Sequence, residues 1–84
     1  MKVTLKLYAT LSDYLPEAAR ASNALPLDVA EGTTPAALIE AHRLPEKLCH
    51  LVLINGAFVP PGARASRALT EGDVLAIWPP IAGG

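Results

Sequence analysis

The stretch Val74-Leu75-Ala76-Ile77-Trp78 is apolar at every position and decides the fold class. A strand that is apolar on both faces belongs in the middle of a sheet that is covered on at least one side. The turn residues Leu69-Thr70-Glu71-Gly72-Asp73 come directly before it and mark its beginning. We therefore expect a sheet built around this segment.

A β-hairpin upstream of that stretch supplies two further strands. Leu51-Val52-Leu53-Ile54 and Ala57-Phe58-Val59 flank the dipeptide Asn55-Gly56. Asn-Gly provides the two positive φ angles that a type I′ turn requires, so this segment is the clearest hairpin in the chain. Pro60-Pro61-Gly62 ends it.

Two more strands are predicted in the first half of the chain. Apolar and polar residues alternate from Val3 to Tyr8, which indicates a strand with one buried face. The segment from Ala24 to Val29 is also strand-like. Pro26 lies within it, so we expect either that this strand lies at an edge of the sheet or that Pro26 is at the start of the strand.

Helices are predicted between these strands. Thr10 to Leu15 is expected to form a short helix after the first strand. Thr34 and the proline that follows it are a hydroxyl cap and a first helical residue. The main helix is expected to run over Pro35 to Arg43 and to be closed by Pro45.

The order of these elements predicts the fold class. Strand, short helix, strand, helix, strand, strand, irregular segment and strand form an α+β domain in which one sheet is crossed by a helix. The chain of 84 residues has the size of one small domain. The strand order does not follow from this pattern.

Composition and charge narrow the function classes. Hydrophobic residues make up 51% of the chain and charged residues 18%, as expected for a globular protein. The formal charge is −1 and the basic residues are scattered, so neither nucleic acid nor a membrane is an expected partner. Cys49 is the single cysteine and cannot form an internal disulfide. No apolar run approaches the roughly 20 residues of a membrane helix, so a cytoplasmic location is expected.

The segment Pro79-Pro80-Ile81-Ala82-Gly83-Gly84 closes the sequence without a charged side chain. Two prolines favour an extended backbone, and two glycines without Cβ atoms can enter a narrow channel. We therefore divide the chain into a folded domain of residues 1–78 and a flexible tail of residues 79–84. If Gly84 ends the mature chain, its carboxylate is the expected reacting group.

These features resemble the ubiquitin-like, β-grasp sulfur carriers of the MoaD/ThiS family, and within it the MoaD type. The similarity is carried by three segments: Tyr8-Ala9-Thr10-Leu11, Ile54-Asn55-Gly56-Ala57-Phe58-Val59, and Leu69 through Gly84. The resemblance implies a mixed sheet of about five strands with one main helix across it and a short helix after the first strand. The first and last strands are then adjacent, parallel and central. The Pro79-Pro80 step resembles the molybdopterin branch more than the thiazole carriers.

The resemblance also implies a chemistry for Gly84. A separate adenylyltransferase, similar to ubiquitin-activating enzymes, would use ATP to form an acyl-adenylate on its carboxylate. A sulfur donor such as a cysteine desulfurase or a rhodanese would then convert it to a thiocarboxylate. The large subunit of molybdopterin synthase would receive this tail, and the sulfur would enter molybdopterin. The chain itself is then a carrier subunit rather than an enzyme, and it binds neither cofactor nor metal.

A partner surface is expected on the face of the sheet opposite the helix. If Leu75 and Ile77 face the helix, Trp78 faces the other way, and Tyr8 on the first strand lies near it. The resemblance places Tyr8 and Trp78 on the partner-binding surface, and Phe58 is a third candidate. Exposed aromatic residues of this kind form the centres of protein interfaces.

The remaining candidates have simpler interpretations. Cys49 is expected to act as a small hydrophobic residue rather than in sulfur transfer. His42 and His50 lack acidic or cysteine neighbours at ligand spacing and are interpreted as surface residues. Arg64 and Arg67 are interpreted as part of a solvated loop.

Three other functions stay open at this point. The protein could carry sulfur for thiamine thiazole or another metabolite. It could be a ubiquitin-like modifier whose Gly84 is joined to lysines of target proteins. It could also be an interaction module whose tail is never activated. The residues do not determine the end product or the oligomeric state. They also do not determine whether the metal inserted downstream is molybdenum or tungsten.

Overall fold

Five strands form one mixed sheet in the computed structural model, which describes residues 1–80. The strands are β1 (Lys2–Leu7), β2 (Ala24–Asp28), β3 (Leu51–Ile54), β4 (Ala57–Phe58) and β5 (Val74–Trp78). Their order across the sheet is β2-β1-β5-β3-β4. β1 and β5 are parallel, whereas the other neighbouring strands are antiparallel. The expected central pair of the first and last strands is therefore confirmed, and the strand with Pro26 lies at an edge as predicted.

The main helix, α2, spans Pro35–Ala41 and begins where the sequence indicates. The Ala37 amide donates a hydrogen bond of 3.2 Å to the Thr34 hydroxyl oxygen, which confirms the cap. The predicted end at Arg43 is wrong by two residues. Arg43 has a φ of 56°, a left-handed conformation that terminates an α-helix before Pro45 is reached.

The other helical segments are short. A 3-10 helix over Ala9–Tyr14 follows β1, close to the predicted range of 10 to 15. No side chain caps its N-terminus. Helix α1 (Glu17–Arg20) was not predicted, because four residues carry no measurable helical period. Two further 3-10 turns cover Glu46–Leu48 and Pro61–Ala63.

The core lies between one face of the sheet and the helical segments. Leu5, Leu7, Val52, Leu75 and Ile77 point into it from the three central strands and are fully buried. Each such side chain stabilises the fold by about 1.5–3 kcal/mol relative to an exposed one. Since α2 has only two turns, it depends on this packing rather than on its own helix propensity.

The opposite face of the sheet is more open. Residues that are paired across neighbouring strands have side chains on the same face of the sheet. One row across this face therefore consists of Lys6, Ala76, Leu53 and Phe58, from β1, β5, β3 and β4. Within residues 1–80, no helix has the length and apolar character needed to cross a membrane.

Candidate functional site

Tyr8 and Trp78 lie together on this open face. Leu7 pairs with Ile77 in the parallel ladder, so the next residues along the two strands are neighbours on the other face. Their rings stack with centroids 4.2 Å apart and planes inclined by 2°. Both residues are half-buried. The proximity that the alternation of side chains predicted is therefore confirmed.

Leucines of β3 extend the stacked pair into a wider apolar surface. Leu51 is 36% exposed and lies opposite Trp78, and Leu53 lies between Ala76 and Phe58. We call Tyr8, Trp78, Leu51, Leu53 and Phe58 the open-face patch. The two leucines were missed in the sequence, although four consecutive apolar residues from Leu51 to Ile54 place apolar side chains on both faces of a strand.

Phe58 belongs to the same face but not to the same cluster as the stacked rings. It lies on edge strand β4 and is 57% exposed. β4 is two strands away from β5, a separation of roughly 10 Å. Phe58 therefore lies at the margin of the open-face patch, and its role in partner binding stays a prediction.

The backbone of β5 is held on both sides up to its last residue. The Tyr8 amide donates to the Ile77 carbonyl at 3.2 Å, and the His50 amide donates to the Trp78 carbonyl at 3.1 Å. Pro79 and Pro80 have no N–H groups, so the ladder cannot continue through them. Pro79 is buried and Pro80 is exposed. The chain thus leaves the sheet at a defined point.

The rest of the predicted tail, Ile81, Ala82, Gly83 and Gly84, lies outside the described residues. The role of the Gly84 carboxylate and the division at residue 78 therefore stay predictions. What the structure shows is the anchored segment that comes directly before them.

A polar network holds the start of β5. The Asp73 carboxylate is buried and accepts hydrogen bonds of 2.8 Å from the Thr70 amide and from Asn55 Nδ2. The Asn55 side-chain oxygen accepts one of 2.9 Å from the Val74 amide. The bond from the Thr70 amide, helped by Asn55, lowers the pKa of Asp73 although burial opposes this. These hydrogen bonds therefore join two turns that are far apart in the sequence, the Asn55-Gly56 turn and the turn that ends at Asp73.

Arg64 is a partly buried residue whose side chain joins two segments, so its interpretation as part of a solvated loop is wrong. Its guanidinium donates to the carbonyls of Cys49, His50 and Val59 at 2.7, 3.1 and 3.2 Å. Sequence reasoning missed this because the partners are 5 to 15 positions away. The guanidinium of Arg67, by contrast, donates only to the neighbouring Ala68 carbonyl among the described residues.

Cys49 is placed as a core residue. Its side chain is 3% exposed, and its thiol lies 3.5 Å from the Pro45 carbonyl oxygen. Burial raises the pKa of the thiol, which keeps it in the unreactive protonated form. His42 is half-buried and His50 is exposed. Among residues 1–80, no three His, Cys, Asp or Glu side chains are placed to hold a metal ion.

Comparison with known sequences identifies the family. The sequence model of the ThiS family matches residues 9–84, which is most of the chain. The chain therefore belongs to the ThiS family. No curated protein sequence matches it significantly.

Several solved structures share the fold of this chain. SAMP1 from Haloferax volcanii is 26% identical, with full coverage of both chains and a TM-score of 0.68. The HVO 2177 protein of Haloferax volcanii is 23% identical over all of this chain and 87% of its own, with a TM-score of 0.75. A chain from the complex of subunits 1 and 2 of molybdopterin-converting factor of Helicobacter pylori 26695 is 17% identical. That match covers both chains fully with a TM-score of 0.60.

The family match confirms the resemblance to the MoaD/ThiS family, whereas the closer likeness to the MoaD type stays a prediction. The last two structures share less than a quarter of their residues with this chain and bear on the fold alone. Together with the family match, they show the ubiquitin-like β-grasp fold of the sulfur carriers of the ThiS and MoaD type.

Proposed function

We propose that this protein is a sulfur carrier whose working group is the carboxylate of Gly84. The observation that carries the proposal is the match to the ThiS family, which extends through Gly83 and Gly84. The hydrogen bonds that hold β5 on both sides up to Trp78 support the proposal, because they fix the position from which the following residues leave the sheet.

The proposed chemistry overcomes the low reactivity of a carboxylate. A partner adenylyltransferase lets a Gly84 carboxylate oxygen attack the α-phosphate of ATP, so that pyrophosphate leaves and an acyl-adenylate forms. A persulfide sulfur of the donor protein then attacks the acyl carbon and expels AMP. A thiol cleaves the resulting acyl disulfide, which leaves a thiocarboxylate on Gly84 and a disulfide on the donor side. No side chain of the carrier takes part in these steps.

Molybdopterin is the proposed destination of the sulfur. In this role the chain is the small subunit of molybdopterin synthase and acts in the cytoplasm together with the large subunit. Similarity in fold to a chain of the Helicobacter pylori complex supports this, as does the Pro79-Pro80 step. The open-face patch is the proposed contact surface, because it contains the stacked rings of Tyr8 and Trp78, which are partly exposed.

A carrier for thiamine thiazole is the second candidate. It is favoured by the family model itself, which is that of ThiS. Both candidates use the same terminal chemistry and differ only in the protein that receives the thiocarboxylate.

The terminal chemistry can be tested by intact-mass measurement. Protein isolated from its own cells, or incubated with ATP, the cognate adenylyltransferase and a sulfur donor, should show a species in which sulfur replaces one oxygen. The variant that lacks Gly84 should show no adenylate and no sulfur, yet should melt like the parent protein. A mature chain that extends beyond Gly84, or a parent protein that never accepts AMP, would refute the proposal.

The destination is tested separately with the loaded protein. Sulfur transfer to a molybdopterin precursor in the presence of the large synthase subunit supports the first candidate. Transfer that requires a thiazole synthase supports the second. Conjugates of high mass on a denaturing gel would instead show a protein modifier.

A further inference from the structure

The two carbonyls that come just before β3, those of Cys49 and His50, lack donors from the continuations of both neighbouring strands. On one side β5 ends at Trp78 and continues into Pro79 and Pro80. On the other side the Val59 amide still donates to Val52, but the chain then continues into Pro60 and Pro61. Proline has no N–H group, so neither pair of prolines can donate a hydrogen bond to the carbonyls that precede β3.

Arg64 supplies the missing donors. Its Nη1 and Nη2 donate to the carbonyls of Cys49 and His50, at 2.7 and 3.1 Å, and its Nε donates to Val59 at 3.2 Å. The planar guanidinium holds several donors in a fixed fork, which lysine cannot reproduce. One side chain therefore ties the start of β3 to the end of the β3–β4 hairpin.

The same segment holds the last carbonyl before the tail. The His50 amide donates to the Trp78 carbonyl at 3.1 Å, and Trp78 is the final residue of β5. The Cys49 carbonyl, which shares a peptide group with the His50 amide, accepts from Arg64 Nη1, while that amide donates to the Trp78 carbonyl. A continuous path of hydrogen bonds thus links the guanidinium to the point where Pro79 leaves the sheet.

We infer that Arg64 is a positioning residue for the carrier's tail, acting through His50 on the carbonyl of Trp78. Without the guanidinium, the segment with Cys49 and His50 is held less firmly, and the exit point of the tail becomes less defined. A partner that takes up the tail must then order more of the chain on binding, which weakens binding without changing the acyl chemistry. This inference rests on the proposed carrier function.

The first test does not depend on that function. Amide hydrogen exchange is compared in the full-length parent, Arg64→Met, Arg64→Lys and the control Arg67→Met, which removes an arginine of the same loop. In Arg64→Met the His50 amide should exchange about tenfold faster or more. The Tyr8 amide, which binds β5 from the other side, should keep its protection. Arg64→Lys should lie between the two, and Arg67→Met should match the parent.

The second test uses the adenylyltransferase with ATP, at a temperature well below the melting point of every variant. Arg64→Met should raise the KM for the carrier roughly threefold to tenfold and leave kcat unchanged. A role in stability alone would lower the melting point but would not move KM under these conditions. If Arg64→Met does not fold, the comparison is made with Arg64→Lys.

The outcomes separate the two claims. Two results would overturn the role of Arg64. One is unchanged protection of the His50 amide in Arg64→Met, and the other is an unchanged KM for Arg64→Met when the parent protein is adenylated normally. A parent protein that accepts no AMP would refute the carrier function. In that case faster exchange at His50 alone would still establish the link from Arg64 to the end of β5, and unchanged exchange would disprove it.

Discussion

The rings of Tyr8 and Trp78 lie face to face, 4.2 Å between centroids, although the two residues are 70 positions apart in the chain. The strands that carry them are joined beside the rings as well, since the Tyr8 amide donates to the Ile77 carbonyl. The stack therefore lies directly beside the point where the chain leaves the sheet. A partner that binds these rings is in a position to receive the tail.

Replacing either stacked ring should weaken partner binding while the domain stays folded. Tyr8→Ala and Trp78→Ala should each lower the affinity for the proposed partner, the large subunit of molybdopterin synthase, about tenfold or more, as for aromatic interface residues. Loss of the stack itself should cost only about 0.5–1.5 kcal/mol of unfolding free energy beyond the lost packing. Titration calorimetry and urea unfolding measure the two effects. Tyr14→Ala, which alters a tyrosine outside the open-face patch, is the control, and parent-like affinity in both ring variants would contradict the assignment.

The carboxylate of Asp73 should make stability depend on pH in the acidic range. Because the folded state lowers its pKa, its contribution is complete above the ordinary carboxyl pKa of about 4. It is lost as the pH falls through the lower folded value. Asp73→Asn should cost about 1–3 kcal/mol at neutral pH, since it disturbs hydrogen bonds to Thr70 and Asn55.

Urea unfolding at a series of pH values measures this effect. The parent protein should lose stability below about pH 4 more steeply than Asp73→Asn. Asp28→Asn is the comparison variant, because it removes another carboxylate with a lowered pKa, but one at an exposed site. The N-terminal ammonium and Lys2 lower the pKa of Asp28. Identical acid profiles for the parent and Asp73→Asn would show that the Asp73 carboxylate does not act in this way.

The hairpin turn should tolerate a side chain poorly at Gly56. Its φ of +84° is left-handed, and an added Cβ would meet no neighbouring atom, so the cost is conformational. Gly56→Ala should lower the free energy of unfolding by about 1–2 kcal/mol. Gly62→Ala also meets empty space but has no positive φ, so it should stay within about 0.5 kcal/mol of the parent. Thermal unfolding distinguishes them, and equal effects would contradict this account.

The single thiol should be dispensable for sulfur loading. Cys49 is buried and burial raises its pKa, so it is a poor nucleophile in the folded protein. Cys49→Ala should lose on the order of 1 kcal/mol of stability through a small cavity. It should still form the thiocarboxylate at the parent rate, as intact mass over time can show. Loss of loading in a folded Cys49→Ala protein would assign the thiol a part in the transfer.

Local patterns in the sequence predicted most of the secondary structure. Strand β5 has its predicted bounds, Asn55 and Gly56 form the predicted turn, and Thr34 caps α2. Each of these depends on residues within a few positions of one another. The end of α2 was misjudged, because the left-handed conformation of Arg43 leads the chain into the core at Leu44 and has no marker such as glycine.

The candidate site was predicted in part. The alternation of side chains brought Tyr8 and Trp78 to one face, once the resemblance had placed their strands side by side. Leu51 joins them only through the register of β3 against β5. The contacts of Arg64 with two separate segments have no counterpart in any local pattern.

The amino-acid order alone established which segments extend, turn or coil, and that residues 79–84 carry no charged side chain. These properties arise from backbone preferences and from the spacing of apolar residues over a few positions. Packing in three dimensions settled which strands meet, in what register, and which carbonyls Arg64 binds. Such pairings join residues far apart in the chain and depend on the balance of burial and hydrogen bonding over the whole domain.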